Sequence, residues 1–238
     1  MLHRTRLIFV DGLPGSGKST TAEYVAGKLD QRGIPCRLLR EREPEHPLNV
    51  GRDLHPSGNT TGARMFVTYT VSSFVKESLT RWNAFVAETS GSGIVHVLDS
   101  YPFQNSVRVL SQMNADSATM AAYQSCVEQK AAELDPVLIY FDAGDAEHAV
   151  RAIAEQRGPA WTDYMIAVVT ECPYALARGL QGMDGAVAIM RAYKDLLDES
   201  VERFLFPKLI LSDCHRRWPD CHARILEFLE LHLSPHVA

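Results

Sequence analysis

The 238-residue sequence predicts an α/β fold in which a mostly parallel five-stranded sheet carries helices on both faces. Three observations carry that expectation. Strand-like and helix-like stretches alternate along the whole chain, with no internal repeat and no linker that would split residues 1–238 into separate domains. The strands are short, near-continuous apolar runs, as parallel strands covered on both faces require. A glycine-rich turn joins the first strand to the first helix.

Taken in order, Leu7 to Val10 is the first strand. Ser19 to Arg32 follows as a helix closed by Gly33. Ile34 to Leu39 is the second strand. Glu41 to Gly62 is polar and punctuated by Pro and Gly, a loop long enough to be a functional lid or disordered. Ala63 to Glu88 reads as one long helix, with Met65, Phe66, Tyr69, Phe74, Leu79, Trp82, Phe85 and Val86 as its apolar positions. Ile94 to Leu98 is the third strand, ending in Asp99-Ser100. A helix around Ala118 to Glu133 leads through Pro136 into the strand Val137 to Asp142. Helices follow at Ala146 to Gln156, Thr162 to Thr170 and Gly185 to Phe206. Lys208 to Leu211 is the last strand and Pro219 to Leu231 the last helix. Ligands of such a sheet collect beyond the C-terminal ends of its strands. Those ends carry Gly12 to Lys18, Glu41 to Glu43, Asp99 to Asn105 and Asp142 to Asp145.

Composition removes several classes of function. Hydrophobic residues make up 46% and charged residues 22%, ordinary for a globular chain. A formal net charge of -5 argues against a nucleic-acid binder held by bulk electrostatics. No apolar run approaches the ~20 residues of a membrane span, and none reaches the ~7–15 of a secretory signal. The expectation is a cytoplasmic protein with neither nucleic acid nor membrane as partner; whether it forms a homodimer stays open. The five cysteines, Cys36, Cys126, Cys172, Cys214 and Cys221, include no C-x-x-C pair and read as scattered reduced thiols. Cys214-His215 with Cys221-His222 fits no common zinc spacing.

The strongest signal is Gly12-Leu13-Pro14-Gly15-Ser16-Gly17-Lys18-Ser19-Thr20, which matches the phosphate-loop pattern at every defined position. It lies between a strand and a helix, as the mechanism requires. Glycines let backbone N–H groups turn inward around an anion, and the following helix aims its positive end at the same spot. Lys18 can reach the β- and γ-phosphates of ATP or GTP, and the Ser19 hydroxyl can ligate Mg²⁺.

This opening, "LIFVDGLPGSGKST", resembles the P-loop kinases of nucleotides and small molecules. These include nucleoside monophosphate kinases, thymidylate kinases, deoxynucleoside kinases and chloramphenicol phosphotransferases. "LREREPEHPL" is similar to the "REP" stretch of thymidylate kinases. The resemblance is specific over residues 7 to 45 and topological through about Asp142. It implies the three-layer P-loop NTPase sandwich with a small helical lid, here at about residues 145–165. It also implies that Asp99 orients the acceptor hydroxyl or accepts its proton, and holds Mg²⁺ through water. Asp142 is the rival second carboxylate, or else the N-cap of the next helix. Glu41, Arg42 and Glu43 stand where such kinases contact the acceptor, and Arg42 holds the arginine position of "REP". Arg64 is a further acceptor candidate. "RAIAEQRGPAW" resembles an arginine-bearing lid. Arg157, beside the glycine hinge Gly158, is the residue expected to neutralise the transferring phosphoryl group. Arg151 lies six positions away, about 600° round a helix, and so on a different face.

One departure bears on the substrate. Nucleotide kinases commonly follow this strand with an Asp-Arg pair, whereas this chain has Asp99-Ser100. Gln104 and Asn105 then offer neutral donors and acceptors, and Tyr101 and Phe103 stacking surface. That suits an uncharged hydroxyl-bearing acceptor, a metabolite, nucleoside or antibiotic, better than a nucleoside monophosphate. The base-reading motif of GTPases and the Asp-Glu pair of motor ATPases are both missing. The reading is therefore a Mg²⁺-dependent phosphotransferase from ATP (or GTP) to a small molecule. A nucleoside monophosphate kinase and a non-catalytic P-loop ATPase are the alternatives.

Overall fold

Five parallel strands form one sheet in the computed structural model, which describes residues 5–43, 45–51 and 62–233. They are β1 (Leu7–Gly12), β2 (Cys36–Leu39), β3 (Val95–Asp99), β4 (Val137–Asp142) and β5 (Lys208–Ser212). Their order is β2-β3-β1-β4-β5, and every pairing is parallel. The chain leaves β1 for the far edge at β2, returns to β3 beside β1, then crosses to β4 on the other side. The crevice at such a reversal is where ligands bind in open parallel sheets.

Two cores explain why the central strands are mostly apolar on both faces. Successive side chains of a strand point to opposite faces. Leu7 and Phe9 therefore pack with Trp82, Leu138, Tyr193 and Leu197. Ile8 and Val10 pack with Val25, Val97, Ile139, Ile225 and Leu229 on the other face. The first core is roofed by α3 (Val71–Thr89), α5 (Ser117–Ala131) and α9 (Gly182–Arg203), the second by α1 (Lys18–Gln31) and α10 (Trp218–Leu233). Each fully buried aliphatic or aromatic side chain contributes about 1.5–3 kcal/mol.

The helix expected over Ala63 to Glu88 is two helices, α2 (Gly62–Thr68) and α3. Thr70 has extended backbone and caps α3 through reciprocal hydrogen bonds with Ser73. The apolar spacing continues across the joint, so periodicity alone runs the two together. Phe103–Val107 forms one wide π-helical turn that continues into α4 (Arg108–Gln112). The expected lid region comprises α6 (Ala146–Arg157) and α7 (Pro159–Thr170), meeting at Gly158 with φ 84°. A short α8 (Pro173–Leu176) follows.

The cysteine expectation needs correction at two of five positions. Cys214 and Cys221 are joined by a disulfide, while Cys36, Cys126 and Cys172 are free. A short 3₁₀ turn (Cys214–Arg216) and the first turn of α10 fold the seven-residue separation back on itself. Among the described residues no group of three His, Cys, Asp or Glu side chains is placed to hold a metal ion. Among the described residues, too, no helix is long and apolar enough to cross a membrane.

Candidate active site

The glycine-rich loop, residues 12–17, leaves β1 at the reversal of the sheet and runs directly into α1. Gly17 has φ 96°, a left-handed conformation that any L side chain strains to adopt. A Cβ there would also collide with the ring of Trp218 at the start of α10. Gly15 has φ 83°, and a Cβ on it would lie 2.7 Å from Cδ1 of Ile153 in α6. The loop is thus walled by α10 on one side and by α6 on the other. The Ser16 and Thr21 hydroxyls are buried with no hydrogen-bond partner among the described residues. Lys18 is only 5% exposed, and its Nζ donates to the Leu13 carbonyl at 3.0 Å. Burial lowers its pKa, opposed by the carboxylates of Asp11, Glu41 and Asp99. Leu13 is itself buried, whereas Ser19 and Thr20 are exposed.

A chain of hydrogen bonds links this loop to the ends of the neighbouring strands. Asp99 pairs in register with Val10 across β1 and β3, which puts its carboxylate beside α1. Ser19 Oγ donates to Asp99 Oδ2 at 2.7 Å. Ser100 Oγ lies 3.1 Å from Asp99 Oδ1 and 3.2 Å from Glu41 Oε2. Its single proton serves one carboxylate at a time. Gln104 Nε2 holds the other oxygen of Glu41 at 2.9 Å. Burial raises the pKa of Asp99, and the Glu41 charge adds to this; Ser19, Lys18 and Ser100 oppose it. Ser100 is fully buried with φ 66°, a left-handed backbone in a non-glycine residue. Such strain costs about 1–3 kcal/mol and clusters at functional sites.

Asp11 was missed in the sequence as a site residue. It is fully buried. Oδ1 accepts from the Gly12 amide at 2.7 Å, and Oδ2 from the amides of Phe103 at 2.6 Å and Gln104 at 3.2 Å. Burial raises its pKa to about 6, against the pull of Lys18 and of the three amides. The only sequence signal was a carboxylate at the end of an otherwise apolar central strand. Arg108 was also missed. It is half-buried, donates to the Gln104 carbonyl and to Gln112 Oε1 at 3.1 Å each, and among the described residues has no carboxylate partner.

The remaining candidates divide. Asp142 accepts from the Gly144 amide and pairs with Lys194, each at 3.0 Å. Burial pushes its carboxyl up, but these partners hold it below the usual range. It serves the turn after β4 and the anchoring of α9. Glu43 pairs with Arg37 at 3.6 Å and accepts from the Arg40 amide, away from Glu41. Arg42 is exposed. The Arg64 side chain lies outside the described residues, as do residues 52–61 of the long loop. Arg151 is held by Glu147 and Asp184 on the surface, whereas Arg157 is exposed at the end of α6 with no polar partner among the described residues.

The expectation of open stacking surface from Tyr101 and Phe103 is corrected, since they are 2% and 0% exposed. Tyr101 stacks on His46, and its hydroxyl donates to Asn49 Oδ1 at 2.7 Å. Asn49 Nδ2 in turn donates to the Glu41 carbonyl at 3.1 Å, so Tyr101 braces Glu41 from behind. Phe103 packs edge-on against Phe204. Gln104 is in the network, and the Asn105 amide nitrogen is buried without a partner among the described residues.

No protein-family model matches the chain, and no curated protein matches it either. Among solved structures it is similar to one of thymidylate kinase from Candida albicans, at 14% identity and a TM-score of 0.54. That likeness covers 97% of this chain and 93% of the other, whose report concerns the origin of broad substrate specificity and a novel structural element. The chain therefore shares the α/β fold of that structure, a five-stranded parallel sheet with helices on both faces.

Proposed function

We propose that this protein is a Mg²⁺-dependent phosphotransferase that moves the γ-phosphoryl group of ATP (or GTP) to a hydroxyl of a small molecule. The observation that carries it is the 2.7 Å contact between Ser19 and Asp99, with Glu41 one serine hydroxyl further on. Donor-side and acceptor-side oxygens then meet beside a buried lysine, an arrangement for transfer rather than for a binding loop alone.

The residues fit a triphosphate and a magnesium ion. The glycines leave room for backbone amides to face phosphate oxygens, and the unpartnered Ser16 and Thr21 hydroxyls add to that set. Ser19 and Asp99 are hard oxygen ligands of the kind Mg²⁺ takes. The ion supplies charge neutralisation to the phosphates when bound. Lys18 binds the β- and γ-phosphates. Asp99 would hold Mg²⁺ through water and serves the acceptor hydroxyl, while Glu41, fixed by Gln104 Nε2 and braced by Asn49, shapes the acceptor pocket. Arg157, exposed at the Gly158 hinge, closes over the transferring group. These residues lie in one domain with α6 and α7 as its lid.

Ser100 in place of arginine, together with the neutral amides of Gln104 and Asn105, supports an uncharged hydroxylated acceptor such as a nucleoside, metabolite or antibiotic. Arg108 favours a second reading, a nucleoside monophosphate kinase, because it places a cation without a described carboxylate partner next to Gln104. Transfer of labelled γ-phosphate to a panel of nucleosides, nucleoside monophosphates and hydroxylated antibiotics tests both. Label entering a hydroxyl supports the first reading, and fast turnover of a monophosphate the second. Hydrolysis that no acceptor accelerates would overturn both in favour of a P-loop ATPase.

A further inference from the structure

We propose that Asp11 is a positioning residue that couples the phosphate loop to the acceptor side of the site. The inference rests on the phosphotransferase reading above and assigns a part to a residue which that reading leaves unused.

Asp11 is the last charged residue of the central strand before the loop, and no water reaches it. A buried carboxylate is expensive unless its lone pairs are filled. Here three N–H groups fill them, and they come from two separate segments. One oxygen holds Gly12, the first amide of the phosphate loop. The other holds Phe103 and Gln104, the first amides of the π-helical turn. Because a carboxylate is rigid and planar, a shift of the loop at Gly12 is passed to the turn.

The turn matters because Gln104 leads it. Its side chain fixes Glu41, Ser100 bridges Glu41 to Asp99, and Asp99 meets Ser19 at the start of α1. The circuit therefore runs from the loop through Asp11 to the acceptor side and back to the loop. Lys18 adds a second tie, since its buried charge acts on the Asp11 carboxylate. When triphosphate recruits Lys18 and stiffens Gly12, Asp11 carries that ordering to residues 103 and 104, and through Gln104 to Glu41. Asparagine keeps the shape but cannot do this. Its NH₂ would face one of the N–H groups, so either the loop or the turn is released.

The test needs only a donor analogue. Amide hydrogen exchange is followed at Phe103 and Gln104 in wild type and in Asp11→Asn, with and without magnesium and adenylyl imidodiphosphate. Val127 in α5 is the control for general stabilisation. In wild type the probe is expected to slow exchange at 103 and 104 about tenfold more than at Val127. In Asp11→Asn the excess should fall below about twofold although the probe still binds. Probe binding with no excess in wild type, or with the same excess in the variant, overturns the coupling and leaves the phosphotransferase reading standing. No probe binding to wild type overturns both. If the variant does not fold, the wild-type comparison with Val127 decides.

Discussion

Replacing Gly17 by alanine tests how the phosphate loop is held, and its cost can be worked from two separate features. The backbone there has φ 96° and ψ 10°, where an L residue is penalised by about 1–2 kcal/mol. The added Cβ would also strike the Trp218 ring, with Cζ2 only 2.8 Å away. Overpacking of that kind costs about 1–3 kcal/mol. Together they give a loss of about 2–5 kcal/mol. At roughly 2–4 °C per kcal/mol for a chain of this size, the melting temperature should fall by about 10 °C. Thermal melts of Gly17→Ala, Trp218→Ala and the double variant separate the two parts. The alanine at 218 opens space for the new Cβ, so the pair should be less destabilising than the sum by about 1–3 kcal/mol. Affinity for a fluorescent ATP analogue should fall in Gly17→Ala and recover partly in the double variant. A melt of Gly17→Ala within 1 °C of wild type (about 0.3 kcal/mol), or strictly additive losses, would show that Trp218 does not bear on the loop.

Four further outcomes are expected. Lys18→Ala should abolish use of the donor, while Asp99→Asn should cut transfer about 10²–10³-fold and change donor affinity far less; a normally active Asp99→Asn would mean that another carboxylate does the work. Reducing the Cys214–Cys221 disulfide removes a short loop constraint of about 2–2.5 kcal/mol, so a dithiol should lower the melting temperature of wild type by about 5–10 °C and leave Cys214→Ser unmoved. Asp11 has a folded pKa of about 6 against 3.8 for the free side chain, so between those values the folded chain keeps a proton that the unfolded chain has lost. Its contribution to stability is therefore greatest below that window and declines as the pH rises through it. Urea midpoints from pH 4 to 7 should show this decline in wild type and a flatter profile in Asp11→Asn; parallel profiles would exclude Asp11 as the source.

What the sequence determined by itself was whatever depends on near neighbours. The glycine-rich turn was legible because Gly12, Gly15, Gly17, Lys18 and Ser19 stand at fixed spacing between one strand and one helix. The parallel sheet was legible because strands buried on both faces are mostly apolar, and Asp99 stood out as the carboxylate ending such a strand. Glu41 and Gln104 were visible as candidates, but nothing in the spacing joins residues 63 apart.

The tertiary structure decided which candidates meet. Sheet order brings the ends of β1, β2 and β3 together, so Glu41, Asp99 and Gln104 share a network while Glu43 and Asp142 turn to cations of their own. It also decided that Tyr101 and Phe103 are core, that Thr70 divides a helix whose apolar period never falters, and that Cys214 faces Cys221. Asp11 shows why most plainly. A carboxylate buried in a central strand looks like a defect until its three amide partners arrive from two segments some ninety residues apart in the chain. Hydrogen bonds of that reach are set by the packing of strands, and local residue patterns carry no record of them.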